Sequence, residues 1–347
     1  MKYVRTILIV TTTLILAGII YLIYTSKVPN DVIQTTELQK ILSIPDEETN
    51  EYISNPVNLI ISDDLIYISD TGRSMIHVFD SKGNFLSSIG SSGRGPTEFM
   101  AQNKIEYNEN KLIVFDQGNR RFTIINIKDN SFTIFPFKYQ HLPYSFAVRD
   151  GLIYMYIPYH HSMIDKLDDL PLIHIYEFSE EISHVASFGE HLNFVSAMIP
   201  YASMSHLKIY KEKLYVQFLL YPILRIYSLD GTLLQTISFN DLNLDYNERV
   251  RNNYQSDVFR DIESKRVKTL VGNFDINDKG LFLNIYDDNA LIIDHYDHNF
   301  NFVTRYKYNF PSKRFFIRDL KVLIDENSDL YFYALYTRNN PGIDIYR

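Results

Sequence analysis

Residues 158–171 read PYHHSMIDKLDDLP and bring His160, His161, Asp165, Asp168 and Asp169 into one short segment. Imidazoles and carboxylates are metal ligands. Two adjacent histidines, however, lack the spacing by which a preformed site presents its ligands. The segment therefore reads as a polar loop, and no metal is expected. No other cluster identifies a reaction. There is no nucleophile elbow and no His-Glu-x-x-His pair. The run GSSGRG at residues 90–95 lacks the Lys-Ser/Thr of a phosphate-cradling loop. With no cysteine in the chain, disulfides, thiolate chemistry, Cys-ligated zinc and acylation of a lipoprotein cysteine are excluded. No cofactor is expected, and no catalytic residue is assigned.

What the side chains do support is contact. Arg73, Arg94, Arg120 and Arg121 suit an acidic ligand, while Tyr139, Tyr144, Tyr159, Tyr201 and Tyr221 offer area for stacking on sugars or peptide at small entropy cost, and His160 belongs to the same ligand-binding face. The net charge of −8, with no basic run beyond the first few residues, excludes a nucleic-acid partner, because phosphate neutralisation needs a clustered basic face. An unknown protein, peptide or glycan is the expected partner.

The abundance of Tyr and Phe (27 and 23) favours strands, whose pleated surface suits such side chains. Residues 55–90, NPVNLIISDDLIYISDTGRSMIHVFDSKGNFLSSIG, split into four short apolar runs. Tight polar turns join the first run to the second and the third to the fourth. The same order recurs at 104–135, 144–188, 205–239 and 270–308, and a sixth copy stops at Arg347 one strand short. Repeats of about 40–50 residues with four strands each predict propeller blades. The expected fold is all-β: a six-bladed β-propeller of four-stranded antiparallel blades occupying 28–347 around one shared interior. Residues 32–44 (VIQTTELQKILSI) are expected to supply the outer strand of the last blade, which removes an exposed edge and ties the chain ends together.

Turns within hairpins are short, whereas 90–103, 158–171, 190–203 and 240–268 are long, and all four belong to connections that emerge on one face. Insertions gathered on one face of a repeat architecture mark a binding face. The longest insertion carries Tyr246, Val250, Tyr254, Val258 and Ile262 at helical spacing, and this predicts a helix packed on the propeller.

Upstream, Lys2 and Arg5 precede an uncharged apolar stretch, residues 6–26. At 1.5 Å per residue it spans roughly 31 Å, the thickness of a bilayer's hydrocarbon core. Residues 1–27 thus read as one N-terminal transmembrane helix or a signal segment. The basic flank on the N-terminal side leaves the propeller outside the cytoplasm, periplasmic or at the cell surface, and tethered to the membrane.

The run ISDTGRSMIHVFDSKGNFLSSIG resembles an NHL-type repeat. The following GSSGRGPTEF, residues 90–99, resembles the glycine-rich linker frequent in exported six-bladed propeller proteins of Bacteroidetes-type bacteria. The likeness is specific over 55–100 and weakens afterwards. It implies a fold and an exported location but not a substrate, since propellers host enzymes and scaffolds alike. Some similar propellers are calcium-dependent hydrolases or lyases, with carboxylates and amides ringing the central channel. The corresponding first-strand candidates here are Asn58, Asn103, Glu106, His206, Asn273, Arg318 and Asp319. Their mixed signs favour a ligand- or protein-binding module over that alternative.

Overall fold

The computed structural model describes residues 33–45, 52–158, 170–192, 203–239, 271–287, 289–312, 317–337 and 341–347. The chain divides into a unit Met1–Thr35 and a compact unit Thr36–Arg347. Among the described residues there are 25 strands and no helix. None of them forms a helix long and apolar enough to cross a membrane. The expected transmembrane segment 6–26 and the expected helix within 240–268 lie outside the described residues.

The strands form six antiparallel sheets in a ring. Blade 1 holds β3 (Pro56–Ser62), β4 (Leu65–Asp70), β5 (Met75–Asp80) and β6 (Phe85–Ile89). Blade 2 holds β7 (Gln102–Asn108), β8 (Lys111–Asp116), β9 (Arg121–Asn126) and β10 (Phe132–Pro136). Blade 3 holds β11 (Ser145–Arg149), β12 (Leu152–Tyr156), β13 (Ile173–Phe178) and β14 (Ile182–Phe188). Blade 4 holds β15 (Ser205–Tyr210), β16 (Lys213–Phe218), β17 (Ile223–Ser228) and β18 (Leu233–Ser238). Blade 5 holds β19 (Val271–Asn277), β20 (Gly280–Ile285), β21 (Ala290–Tyr296) and β22 (Phe302–Asn309). Blade 6 holds β23 (Ile317–Ile324), β24 (Leu330–Tyr336) and β25 (Gly342–Tyr346). Its fourth strand is β2 (Lys40–Ile44), which pairs antiparallel with β25.

The N-terminal segment makes two strands rather than one. Ahead of β2, a short β1 (Thr35–Glu37) lies beside β22 as a fifth strand of blade 5. The Leu38 N–H donates to Lys307 O at 2.7 Å, and Gln39 exchanges two backbone bonds with Arg347 at 2.9 and 3.0 Å. One segment thus covers the outer edges of two neighbouring blades, a common way of blunting sheet edges.

Alternation along the strands decides where the apolar core lies. Successive side chains point to opposite faces, and each face of a blade meets a different neighbour. Ile66 and Ile68 pack with Leu335 and Ile345 of blade 6, while Tyr67 between them packs with Ile105 and Val114 of blade 2. Leu214 and Val216 face blade 3, and Tyr215 faces blade 5. The core is therefore six apolar slabs, one at every seam between blades, and not the single shared interior that the repeat suggests. Each fully buried Ile, Leu or Phe contributes about 1.5–3 kcal/mol relative to exposure.

The short turns owe their length to backbone conformation. Asp63 and Asp64 sit at φ 51° and 60°, Glu109 and Asn110 at 49° and 61°, and Lys211 and Glu212 at 45° and 57°. Two successive positive φ values make the tight hairpin turn whose twist matches the flanking strands. The aspartate that ends the second strand of blades 1 and 2 ties down the chain arriving from the preceding blade. Asp70 accepts from the N–H groups of Ser54 (2.7 Å), Asn55 (2.8 Å) and Gly72 (3.0 Å). Asp116 accepts from the Met100 N–H at 2.8 Å.

Candidate functional site

Inner strands of six blades surround the axis, and their polar side chains close every joint between neighbours. Asn58 Oδ1 on β3 accepts from the Ile105 N–H on β7 at 2.8 Å. Lys104 on β7 donates to Ser145 Oγ at 3.3 Å and to Phe146 O, both on β11. The same Ser145 hydroxyl accepts from the Leu207 N–H on β15 at 3.1 Å. Lys208 on β15 donates to Asp275 Oδ1 on β19 at 2.5 Å, and Asp275 Oδ2 accepts from the Val322 N–H on β23 at 2.7 Å. Asp319 on β23 completes the ring by accepting from the Leu59 N–H on β3 at 2.9 Å.

The reason lies in strand geometry. Residues i and i+2 share a face of a strand. Four inner strands place a polar pair at that spacing: Lys104 and Glu106, His206 and Lys208, Asn273 and Asp275, Asp319 and Lys321. Convergence of these pairs on the axis forms a cavity of about 60 Å³ lined from all six blades. It has room for a few water molecules or one small group. Around it stand Asn58, Lys104, Glu106, Tyr144, His206, Lys208, Asn273, Arg318, Asp319 and Lys321.

Its electrostatics are those of a crowded, charged interior. Lys104, Lys208, Arg318 and Lys321 supply four cations, against Glu106, Asp319 and the adjoining Asp275. Asp319 is buried and takes four donors: Asn273 Nδ2 (2.5 Å) and the Leu320 N–H (2.9 Å) on Oδ1, and Asn58 Nδ2 (2.5 Å) and the Leu59 N–H on Oδ2. Lys104 pairs with Glu106 at 2.8 Å. Desolvation, then the Lys104, Arg318 and Lys208 charges, push His206 down to about 3, so its ring is neutral. Burial lowers Lys208; Asp275 opposes this and Lys321 adds to it. Burial also works against the Lys321 charge, but the carboxylates of Asp319, Asp275 and Glu106 outweigh it and hold that ammonium protonated. The Tyr144 phenol is raised by burial, with Arg318 opposing.

Six of the seven channel candidates read from the sequence line this cavity: Asn58, Glu106, His206, Asn273, Arg318 and Asp319. The Asn103 side chain lies outside the described residues. The lysines 104, 208 and 321 were missed, although their i, i+2 spacing to a recognised polar residue was a readable signal.

The proposed contact residues scatter. Tyr144 lines the axial cavity, 5.9 Å from the His206 ring between centroids. Tyr221 is buried in the slab between blades 3 and 4. Tyr139 packs on Tyr176 at 4.6 Å between centroids. Arg121 is buried and holds the 90–99 linker in place: Nε bonds Asp116 Oδ2 at 3.0 Å, and the terminal nitrogens reach Gly95 O at 2.8 Å and Glu98 O at 2.5 Å. Gly90 starts that linker at φ +87°, and a Cβ there would lie 2.3 Å from the Phe99 ring. Arg73 donates to Tyr52 O at 2.7 Å and Arg120 to Tyr139 O. Arg94 and Arg120 are exposed on the face with the long connections. Tyr159, His160 and Tyr201 lie outside the described residues. Among the described residues, no three His, Asp or Glu side chains are arranged to hold a metal ion.

A ring of six four-stranded blades around a polar axis defines a six-bladed β-propeller. The chain belongs to the six-bladed beta-propeller family DUF5128, whose profile matches residues 28–314. No curated protein sequence matches it. Among solved structures it is similar to a candidate exported protein of Bacteroides fragilis, at 15% identity and a TM-score of 0.56, covering 90% of this chain and 98% of that one. It is also similar to a member of the DUF4221 family from Bacteroides vulgatus, at 12% identity and a TM-score of 0.52, covering 89% and 97%. Virginiamycin B lyase from Staphylococcus aureus aligns at 11% identity and a TM-score of 0.48, over 89% and 87%. At such identities the likeness is one of fold.

Proposed function

We propose that this chain is an extracytoplasmic, membrane-tethered propeller that binds a protein, peptide or glycan through the face carrying its long connections. The observation that carries this reading is topological. The spans from β6 to β7, β12 to β13, β14 to β15 and β18 to β19 all leave one face, while the opposite face is closed by short turns of two to five residues, two between β3 and β4 and between β15 and β16. Loop growth restricted to one face of a rigid ring is how repeat scaffolds build recognition surfaces. The apolar stretch 6–26 behind Lys2 and Arg5 supports the tether and the orientation, and the exported description of the Bacteroides fragilis relative agrees with the location.

The alternative, a calcium-dependent hydrolase or lyase at the axis, is less well supported. A hard dication wants six or more oxygens, and here four cationic side chains stand where those oxygens would be.

In-cell photocrosslinking tests the reading. A photoreactive residue at Arg94 or Arg120 should give discrete adducts, and one at Asp64 or Glu212, on the short-turn face, should not. Equal labelling from both faces would sink it. Melting that shifts on EDTA treatment and recovers with calcium would favour the enzyme.

A further inference from the structure

We propose that the axial cavity is a binding site for one small oxyanion, a carboxylate or phosphate group, seated among Lys208, Lys321, Arg318, Tyr144 and His206. This deepens the binding reading above and rests on it for the source of the group: a ligand captured on the long-loop face would present the anion to the axis.

Three observations converge. The first is charge. Around the cavity four cations face three carboxylates, one positive charge in excess, inside a chain whose net charge is −8. Attraction for an anion is therefore local to the axis and opposite in sign to the rest of the molecule, and field lines are focused in such low-dielectric clefts.

The second is how the carboxylates are used. Asp319 is saturated by its four donors, Asp275 is engaged by Lys208 and the Val322 N–H, and Glu106 is engaged by Lys104. Each has a partner already, and Lys208 and Lys321 both line the same small cavity. Two ammonium groups in one confined space are stabilised most directly by a shared counter-ion.

The third is the donor set and the space. Tyr144 and the neutral His206 ring supply uncharged donors in the same cavity as Arg318, so an oxyanion would find donors on several sides. A volume of about 60 Å³, room for several waters, admits a carboxylate or phosphate group.

The test uses the full chain in detergent and chloride-free buffer, titrated calorimetrically with sodium acetate and with inorganic phosphate. One of the two should bind saturably at one per chain. Lys321→Met should weaken that binding about tenfold or more, with Lys321→Arg close to the parent. Since loss of Lys321 could unsettle the ring, Tyr144→Phe is the second probe: it removes one hydroxyl and keeps the ring that packs beside His206, and binding should fall severalfold. Absence of saturation by both anions, or parent-like affinity in both Lys321→Met and Tyr144→Phe, overturns the proposal. An acidic tripeptide that competes with the small anion identifies a group carried by a larger ligand; failure to compete identifies the free anion. Crosslinking from Arg94 that fails while acetate or phosphate still binds would remove the face reading and leave this one standing.

Discussion

Asn58 and Asp319, 261 residues apart in the chain, meet across the seam between the first and last blades, with Asn58 Nδ2 2.5 Å from Asp319 Oδ2. The pair closes the ring at its inner edge, as β2 closes it at the outer edge. Asp319 also accepts from Asn273 on blade 5, so one carboxylate gathers three blades.

Replacing Asp319 with Ala should therefore destabilise the propeller by about 3 kcal/mol or more, because it strands buried donors and leaves the axial cations uncompensated. Asp319→Asn, which keeps an acceptor, should cost less. Urea unfolding of the two variants reads the difference, and equal midpoints would contradict the role given to the charge.

Asp70 makes a prediction about acid. Burial would raise its carboxyl, but the hydrogen bond from His77 and those from the Ser54 and Asn55 N–H groups outweigh it and hold it below its ordinary 3.8. A depressed folded value means that the contribution is fully present above the unfolded value and is lost as pH falls through the folded one. Asp70→Asn should lower the melting temperature at neutral pH, and the deficit should narrow below 3.8. A deficit constant with pH would refute this.

His206 costs stability in the same direction, as pH falls, but over a higher window. Its ring ionises at about 3 in the folded chain, against an ordinary 6.5. As pH drops from 6.5 toward 3, the unfolded chain takes up a proton that the folded chain does not, so stability declines across that window. His206→Gln should lose less melting temperature than the parent between about pH 7 and pH 4. A parallel decline in both proteins would show that His206 is not the group responsible.

Arg121 anchors the 90–99 linker through Asp116 and two carbonyls. Truncation to Ala should cost about 3–5 kcal/mol by leaving Asp116 buried without its cation. Lys, which lacks the planar fork, should rescue only part. Limited proteolysis should cut within 90–99 faster in both variants; unchanged cleavage would mean that the linker is held by other contacts.

At the outer closure, Ile44 is 1% exposed beside Ile343 and Leu335. Ile44→Ala should cost about 2–5 kcal/mol. The exposed Ile41, on the same strand, should tolerate Ala with little change. Thermal melts of the two variants compare them directly.

The amino-acid order alone determined the blade count, the strand order within each blade and the short hairpin turns, because alternation, turn residues and repetition are local properties read over a few residues. It also placed polar residues in the first strands. Only the tertiary structure decided that the core is six slabs, that residues 35–44 serve two blades, that Arg121 is an internal brace and Tyr221 a core residue, and that three lysines converge on the axis. Those outcomes depend on which strands become neighbours when the ring closes. Lys104, Lys208 and Lys321 are ordinary solvated lysines until curvature brings their strands together, and the excess charge that results belongs to the ring and to no single repeat.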